Sequence, residues 1–210
     1  MNPVANKLVG ACEQLLCEAK SIDELTARAI AAAAGTTASA VSYYFGSQEQ
    51  LIIATATRVY KRLNAERMAL LNVAVQKAAP NHPVVDDLIV ALVGPSVRWG
   101  LDPTSRYRVL SHFTTMAQRS SKPELYRQIL EGIEHHRMFV PYFRAIAPWL
   151  SEAEIGWRMS CALGIRSKVT RNRLRNELLT GHSIDVSDAD EVIAQIVVVV
   201  APMFLAPKPR

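Results

Sequence analysis

The chain has 210 residues, half of them apolar and a fifth charged, with a formal net charge of +5. That is an ordinary composition for a soluble globular protein, with enough chain to bury a core in one large or two small domains. The mild basicity permits nucleic acid or an acidic ligand without demanding either.

Glycine is scarce and alanine plentiful, and the signals along the chain are almost all helical. Leu8, Ala11, Cys12, Leu15 and Leu16 fall at helical spacing in residues 8–16. A turn over 20–25 leads to a short helix in 26–35, with Thr26 as N-cap and Gly35 as its stop. Thr37 is placed to cap a third helix, 38–45, which Gly46 ends. Ser47-Gln-Glu-Gln50 reads as a capping box opening a long helix through Tyr60 towards Arg67.

Further along, Pro80-Asn-His-Pro83 ends one segment and Gly94-Pro95 kinks or splits the next. Asp102-Pro103 has the order of an N-cap followed by proline at the first helical position. Ser121–Glu124 and Ser151–Glu154 read as capping boxes, the second just after Pro148-Trp149. Residues 181–185 form a loop and Ser187 caps a last helix. Ile196–Val200 has strand-like propensity, but an isolated strand would lack a partner, so a buried helix is expected. The fold class expected is all-α, about nine helices. The first three are short and closely joined, the later ones long and apolar.

Residues 26–45 carry the features of a helix-turn-helix. The small side chains of Ala29–Ala34 let a second helix cross closely, and Gly35 supplies the turn. On that second helix Val41 and Phe45 share one face, while Ser39, Ser42 and Tyr43 lie on or near the other. In this motif the leading end of the second helix enters the major groove. Yet from Ala29 to Thr57 there is neither lysine nor arginine, and residues 1–67 carry seven basic against six acidic side chains. Residues 68–210 hold seventeen against thirteen. Positive charge for a DNA contact must then come from Lys7, Arg28 or Arg58 and from a dimer mate.

Through LTARAIAAAAGTT, AVSYYFGSQEQL and the long apolar helix that follows, residues 8–60 resemble the N-terminal domain of the tetracycline-repressor (TetR) family of bacterial transcription regulators. The match covers about a quarter of the chain without a gap. The remainder is similar only in length and helical character. The resemblance implies a DNA-binding domain over 1–66, with the fourth helix as connector. It implies an effector-binding and dimerisation domain over 67–210. Thr26 and Arg28 would contact phosphate. Thr36, Thr37, Ala38, Ser39 and Ala40 would face base edges from the turn and the head of the recognition helix, with Ser42 beside them. Tyr43 and Tyr44 would place hydroxyls on phosphates, and Ser47 and Gln48 would sit against the backbone at the fourth helix's N-terminus. Three departures stand out: Gln48 replaces a common lysine, Ser42 a common tyrosine and Ser21 a common glycine. The first two make the contact less electrostatic.

The partners expected are double-stranded operator DNA, a small-molecule effector and a second copy of the chain. The apolar segments 155–179 and 192–205 would pack against their two-fold mates. Between Arg158 and Arg175 six basic residues occur without an acid, which reads as a solvated face rather than a second DNA site. An effector pocket could draw on Trp99, His112, Phe113, Met116, Phe139, Tyr142, Phe143, Trp157 and Met159. Arg98, Arg108 or Arg144 could receive an anionic head. The expected effector is apolar or aromatic, or anionic.

Cys12, Cys17 and Cys161 have neither zinc spacing nor a disulfide framework, so reduced thiols in a cytoplasmic protein are expected. The N-terminus lacks the apolar run of a signal peptide. The most apolar stretch, 192–206, is broken by Gln195 and Pro202 and falls short of the ~20 residues of a membrane span. Glu131, Glu134, His135 and His136 could be mistaken for a metal cluster, but no matching set follows on a second helix. No metal or cofactor is expected. No phosphate-binding, nucleophile-elbow, zinc-protease or dinucleotide motif occurs, so no enzyme is expected. The reading from a different class is a helical ligand-binding protein or enzyme whose N-terminal helices only pack.

Overall fold

Eleven α-helices and one 3-10 turn, with no strand, account for the regular structure of the residues that the computed structural model describes, 2–119, 127 and 134–206. In order these are α1 (Pro3–Glu18), the turn Ile22–Glu24, α2 (Ala27–Ala33), α3 (Ala38–Phe45) and α4 (Gln48–Ala78). Then come α5 (Val85–Leu101), α6 (Tyr107–Arg119), α7 (Glu134–Arg137) and α8 (Val140–Ile146). The last three are α9 (Glu152–Arg171), α10 (Arg173–Leu179) and α11 (Ala189–Leu205). Contacts divide the described chain into a unit of residues 2–62, 104–119 and 127, and a second unit of 63–103 and 134–206.

The first unit is built on α1, which packs against α2 and α6. That helix starts earlier than its apolar stripe, because Asn2 Oδ1 accepts from Val4 N (2.9 Å) and Pro3 sits at the first helical position. Leu8, Cys12 and Leu16, spaced four apart, are fully buried. Ile30 and Ala31 of α2 and Val41 of α3 join the same buried set. Ser21 has extended backbone (φ −134°) and its hydroxyl accepts from Asp23 N (3.2 Å). Nothing at this position asks for glycine.

In the second unit α5 is the central helix, contacted by α8, α9 and α11. Every residue from Ala91 to Val97 is buried, so this helix is covered on all sides. Each fully buried leucine or isoleucine, such as Leu88, Ile89 and Leu92, contributes about 1.5–3 kcal/mol relative to an exposed one. Phe143 stacks on Phe204, centroids 4.1 Å apart, and joins α8 to α11.

Several expected boundaries move. Residues 94 and 95 lie inside α5, which runs through them unbroken to Leu101. Gly94 lies where α5 meets α11, and a Cβ there would come within 3.5 Å of the Ile193 side chain. Asp102 is the C-cap of α5, and α6 begins only at Tyr107. Ser187 does not cap the last helix. Its hydroxyl and amide both donate to Asp185 Oδ1, and Asp188 caps instead by accepting from Asp190 N (2.8 Å). The segment 155–179 is two helices, divided at Asn172. The capping box at Ser151–Glu154 is present in full. Ile196–Val200 is helical, as expected, but Val198 and Val199 are exposed. The expected box at 121–124 and residue Glu131 lie outside the described residues. Among the described residues no helix is long and apolar enough to cross a membrane. None of their His, Cys, Asp and Glu side chains group to hold a metal.

Candidate nucleic-acid interface

Local hydrogen bonds set the geometry of α2 and α3. Ala29 N donates to Thr26 Oγ1 (3.1 Å), which satisfies a first-turn amide. At the other end Gly35 takes φ +64°, Gly35 N donates to Ala32 O and Thr36 N donates to Ala31 O. That pair of bonds closes the Schellman turn that the glycine permits. Thr37 is the N-cap residue of α3, with extended backbone, but makes no side-chain cap. Its hydroxyl instead pairs with Ser39 Oγ (2.9 Å). Gly46, at φ +75°, ends α3. Ser47 Oγ accepts from Gln50 N (3.1 Å) to start α4.

Burial sorts α3 into two faces. Val41 is buried, while Ala38, Ser39, Ser42 and Tyr43 are exposed; Ala40 and Tyr44 are half-buried. Ser39, Ser42 and Tyr43 share a surface by their i, i+3 and i+4 spacing. Tyr43 is 82% exposed and meets the Tyr44 ring edge-on, centroids 4.8 Å apart. A large aromatic ring held in solvent beside small hydroxylated side chains is a surface made for contact rather than for packing. Thr26, Arg28 and Thr37 are also exposed, with Thr36 and Ser47 half-buried. Gln48 is half-buried and its Nε2 donates to Leu25 O (2.8 Å), which ties the start of α4 to the residue before the α2 cap.

The same unit holds an ion cluster. Glu13 of α1 is only 4% exposed. It accepts from Arg58 at 2.6 and 3.1 Å and from Arg62 at 2.5 Å, and Arg106 stands 3.4 Å away. Burial opposes a charge on Glu13, but the hydrogen bonds and charges of Arg62 and Arg58 hold its carboxyl below the usual range. Arg58 is therefore engaged with Glu13, forty-five residues away in sequence. Of the three cations expected to supply charge, Lys7 and Arg28 remain exposed. Burial pushes the Cys12 thiol up to about 11 despite its hydrogen bond with Thr55, which suppresses the reactive thiolate.

The residues expected around an effector are divided between the units. His112, Phe113 and Met116 belong to the first unit: His112 Nε2 meets Ala19 O at 3.1 Å, so that nitrogen carries the proton. Phe113 is buried with Ile53 and Ala56, and Met116 packs against them. In the second unit Phe139 and Phe143 are fully buried in the core with Met159, Tyr142 packs against it and Trp157 is exposed. Trp99 Nε1 donates to the Glu66 carboxylate (3.0 Å). Each arginine named for an anionic head has another partner: Arg98 with Asp190, Arg108 with Cys17 O and Arg144 with Glu152.

Two features of the second unit are not among those residues. One is a cavity of about 280 Å³ lined by Ile165, Val169, Leu179, Ile196 and Val199, with Asn176, Thr180 and Gln195 as polar groups. Leu179 and Val199 are also exposed, so the cavity opens on an apolar surface. The other is a buried polar cluster. Arg67, 3% exposed, donates to Leu92 O, Ser96 Oγ and Asn64 Oδ1. Asn64 Nδ2 then meets His135 Nδ1 (3.1 Å), and Arg67 Nη1 stands 3.4 Å from His135 Nε2. The sequence does carry a sign of this cluster. Arg67 stands in the register of Val59, Leu63, Leu71 and Ala74, a stripe otherwise apolar and buried.

Residues 15–55 match the model of the bacterial regulatory proteins of the tetR family, and residues 90–203 that of the tetracyclin repressor-like C-terminal domain. A Rhodococcus sp. RHA1 protein assigned as a transcriptional regulator superposes with a TM-score of 0.58 at 22% identity, covering 94% of this chain and 95% of that one. A Streptomyces coelicolor A3(2) protein with the same assignment gives 0.63 at 16%, over 96% and 98%. The fatty acid degradation regulator FadR of Bacillus halodurans gives 0.63 at 16%, over 96% of each chain. These likenesses are of fold. No curated protein sequence matches the chain.

Proposed function

The chain belongs to the tetR family of bacterial regulatory proteins and is a DNA-binding transcriptional regulator, and from that premise we propose a dimeric repressor released from a palindromic operator by a small ligand. The observation that carries the reading is the α3 surface, polar and aromatic in solvent over a helix-turn-helix closed by Gly35. In this reading Ser39 and Ser42 face base edges and Ala40 suits thymine methyls. Tyr43, Tyr44, Thr26 and Arg28 hold the phosphates.

Dimerisation is supported by the second unit. On α11 the buried stripe Val192, Ile196, Val200 and Phe204 is matched on the opposite face by exposed Val198 and Leu205, with exposed Val199 at the edge of the stripe beside Val192. Exposed valine and leucine opposite a buried apolar stripe call for a second cover. Trp157 of α9 and Leu174, Leu178 and Leu179 of α10 add to the surface, each 67–74% exposed. Gly156 and Gly164 stand exposed on α9 with nothing near where a Cβ would be. Glycine inside a helix costs about 1 kcal/mol against alanine, which a closely crossing partner helix would offset. Two-fold symmetry then presents two α3 helices to half-sites about one helical turn apart. An effector that prefers a dimer state with its reading heads wrongly spaced would release DNA, a coupling of about 1–3 kcal/mol.

Footprinting on DNA flanking the chain's own gene tests the reading. The expected result is two-fold protection by a dimer. The salt slope should be shallow, because each charged phosphate contact adds about −0.9 and Arg58 is engaged with Glu13. An intact dimer that binds no such fragment at low salt would favour a helical ligand-binding protein instead.

A further inference from the structure

His136 of α7 has both ring nitrogens, Nδ1 and Nε2, screened from solvent and without a hydrogen-bond partner. An imidazole left so lowers stability, because water has been removed from both polar atoms and nothing has replaced it. Among the described residues, the Arg67 and Arg166 guanidiniums act on it, and the His135 ring centroid is 4.1 Å away. Burial first, and then the fields of Arg67, His135 and Arg166, oppose a proton on His136 and push its pKa down to about 2. The ring is therefore neutral and presents one N–H donor and one acceptor nitrogen.

An orphaned donor in a positive field, inside a helical unit, is poorly suited to packing and well suited to an anion. We infer that His136, with Arg67 and Arg166, forms a binding centre for the carboxylate of a small organic acid. The carboxylate would accept the His136 N–H, and the two guanidinium fields would offset the cost of removing it from water. A singly charged group fits better than a phosphate, since the desolvation cost grows steeply with charge and the cluster supplies few donors. This centre deepens, and rests on, the reading of the chain as a ligand-responsive regulator by naming the chemical class of the effector.

Thermal denaturation at constant ionic strength tests it, with benzoate and hexanoate as probes against hexanol, hexylamine and phosphate. The full-length protein should be stabilised by the two carboxylates and not by the other three. His136→Leu should raise the Tm of the ligand-free protein by about 2–4 °C, because the orphaned polar atoms are gone, and should abolish the carboxylate response. Arg166→Gln should weaken the apparent carboxylate affinity at least tenfold while keeping the helical circular dichroism. Equal stabilisation by hexanol and hexanoate, a larger shift with phosphate, or an undiminished carboxylate response in His136→Leu would each overturn the proposal. A gel shift on the same samples separates the two readings. Carboxylate binding that leaves DNA bound keeps the site and removes the effector role. Loss of DNA binding in every sample removes the regulator reading without touching the site.

Discussion

Replacing Glu13 by glutamine removes the charge that gathers Arg58, Arg62 and Arg106 while preserving shape. Breaking a buried ion pair costs about 3–5 kcal/mol when the abandoned charge stays buried. Here Glu13 is the buried member, and the three arginines are 39–47% exposed, so they re-enter water when released. Solvent screening therefore lowers the expected loss to about 2 kcal/mol. For a chain of this size that corresponds to a fall in Tm of roughly 4–8 °C. A double-mutant cycle of Glu13→Gln with Arg58→Met, read by urea denaturation followed by circular dichroism, should give a coupling of about 1 kcal/mol. Because the cluster ties α1 to α4 in the unit that carries α2 and α3, DNA affinity should fall with it. A drop in Tm below about 1 °C together with a coupling near zero would refute the argument, since the short contacts would then contribute nothing measurable.

Acid should destabilise the protein in two separable windows. His136 is held far below its ordinary 6.5, so between that value and about 2 the unfolded chain binds a proton that the folded chain refuses. Stability then falls as pH drops below 6.5, by at most about 1.4 kcal/mol per pH unit. Glu13, whose folded carboxyl lies below its ordinary 4.5, contributes stability above that value and loses it as pH falls through the folded value. Urea midpoints from pH 7 to 5 should flatten in His136→Leu and keep their slope in Glu13→Gln; the reverse pattern contradicts both assignments. Val198→Glu places a charge on the exposed face of α11 and should weaken dimerisation at least about 100-fold, or about 2.7 kcal/mol. Light scattering checks it, and an unchanged dimer would place the interface elsewhere.

The helix-turn-helix was legible in the sequence because its determinants are local. Thr26, Gly35, Gly46 and Ser47 act on amides within five residues, and Val41 declares its buried face by spacing alone. The Ser151–Glu154 box was legible for the same reason. What failed were rules that a neighbouring element can override. Gly94-Pro95 reads as a kink or a split, and the split does not occur: α9 and α11 pack on α5, which stays helical through both residues. Ser187 and Asp188 are both good caps, and Asp185 decided between them by accepting Ser187. The charge inventory offered Arg58 to DNA, but a carboxylate on a helix far away in sequence had first claim. Phe139 and Phe143, named for a pocket, lie in the core; an aromatic ring has the same composition in either place. The sequence by itself determined the all-α class, the family and the face of α3 that meets solvent, because periodicity and capping act over a few residues. Only the tertiary structure decided which arginines carry available charge and where the two ring nitrogens of His136 lie screened without a partner. Those outcomes depend on which helices touch, and no window of sequence contains that information.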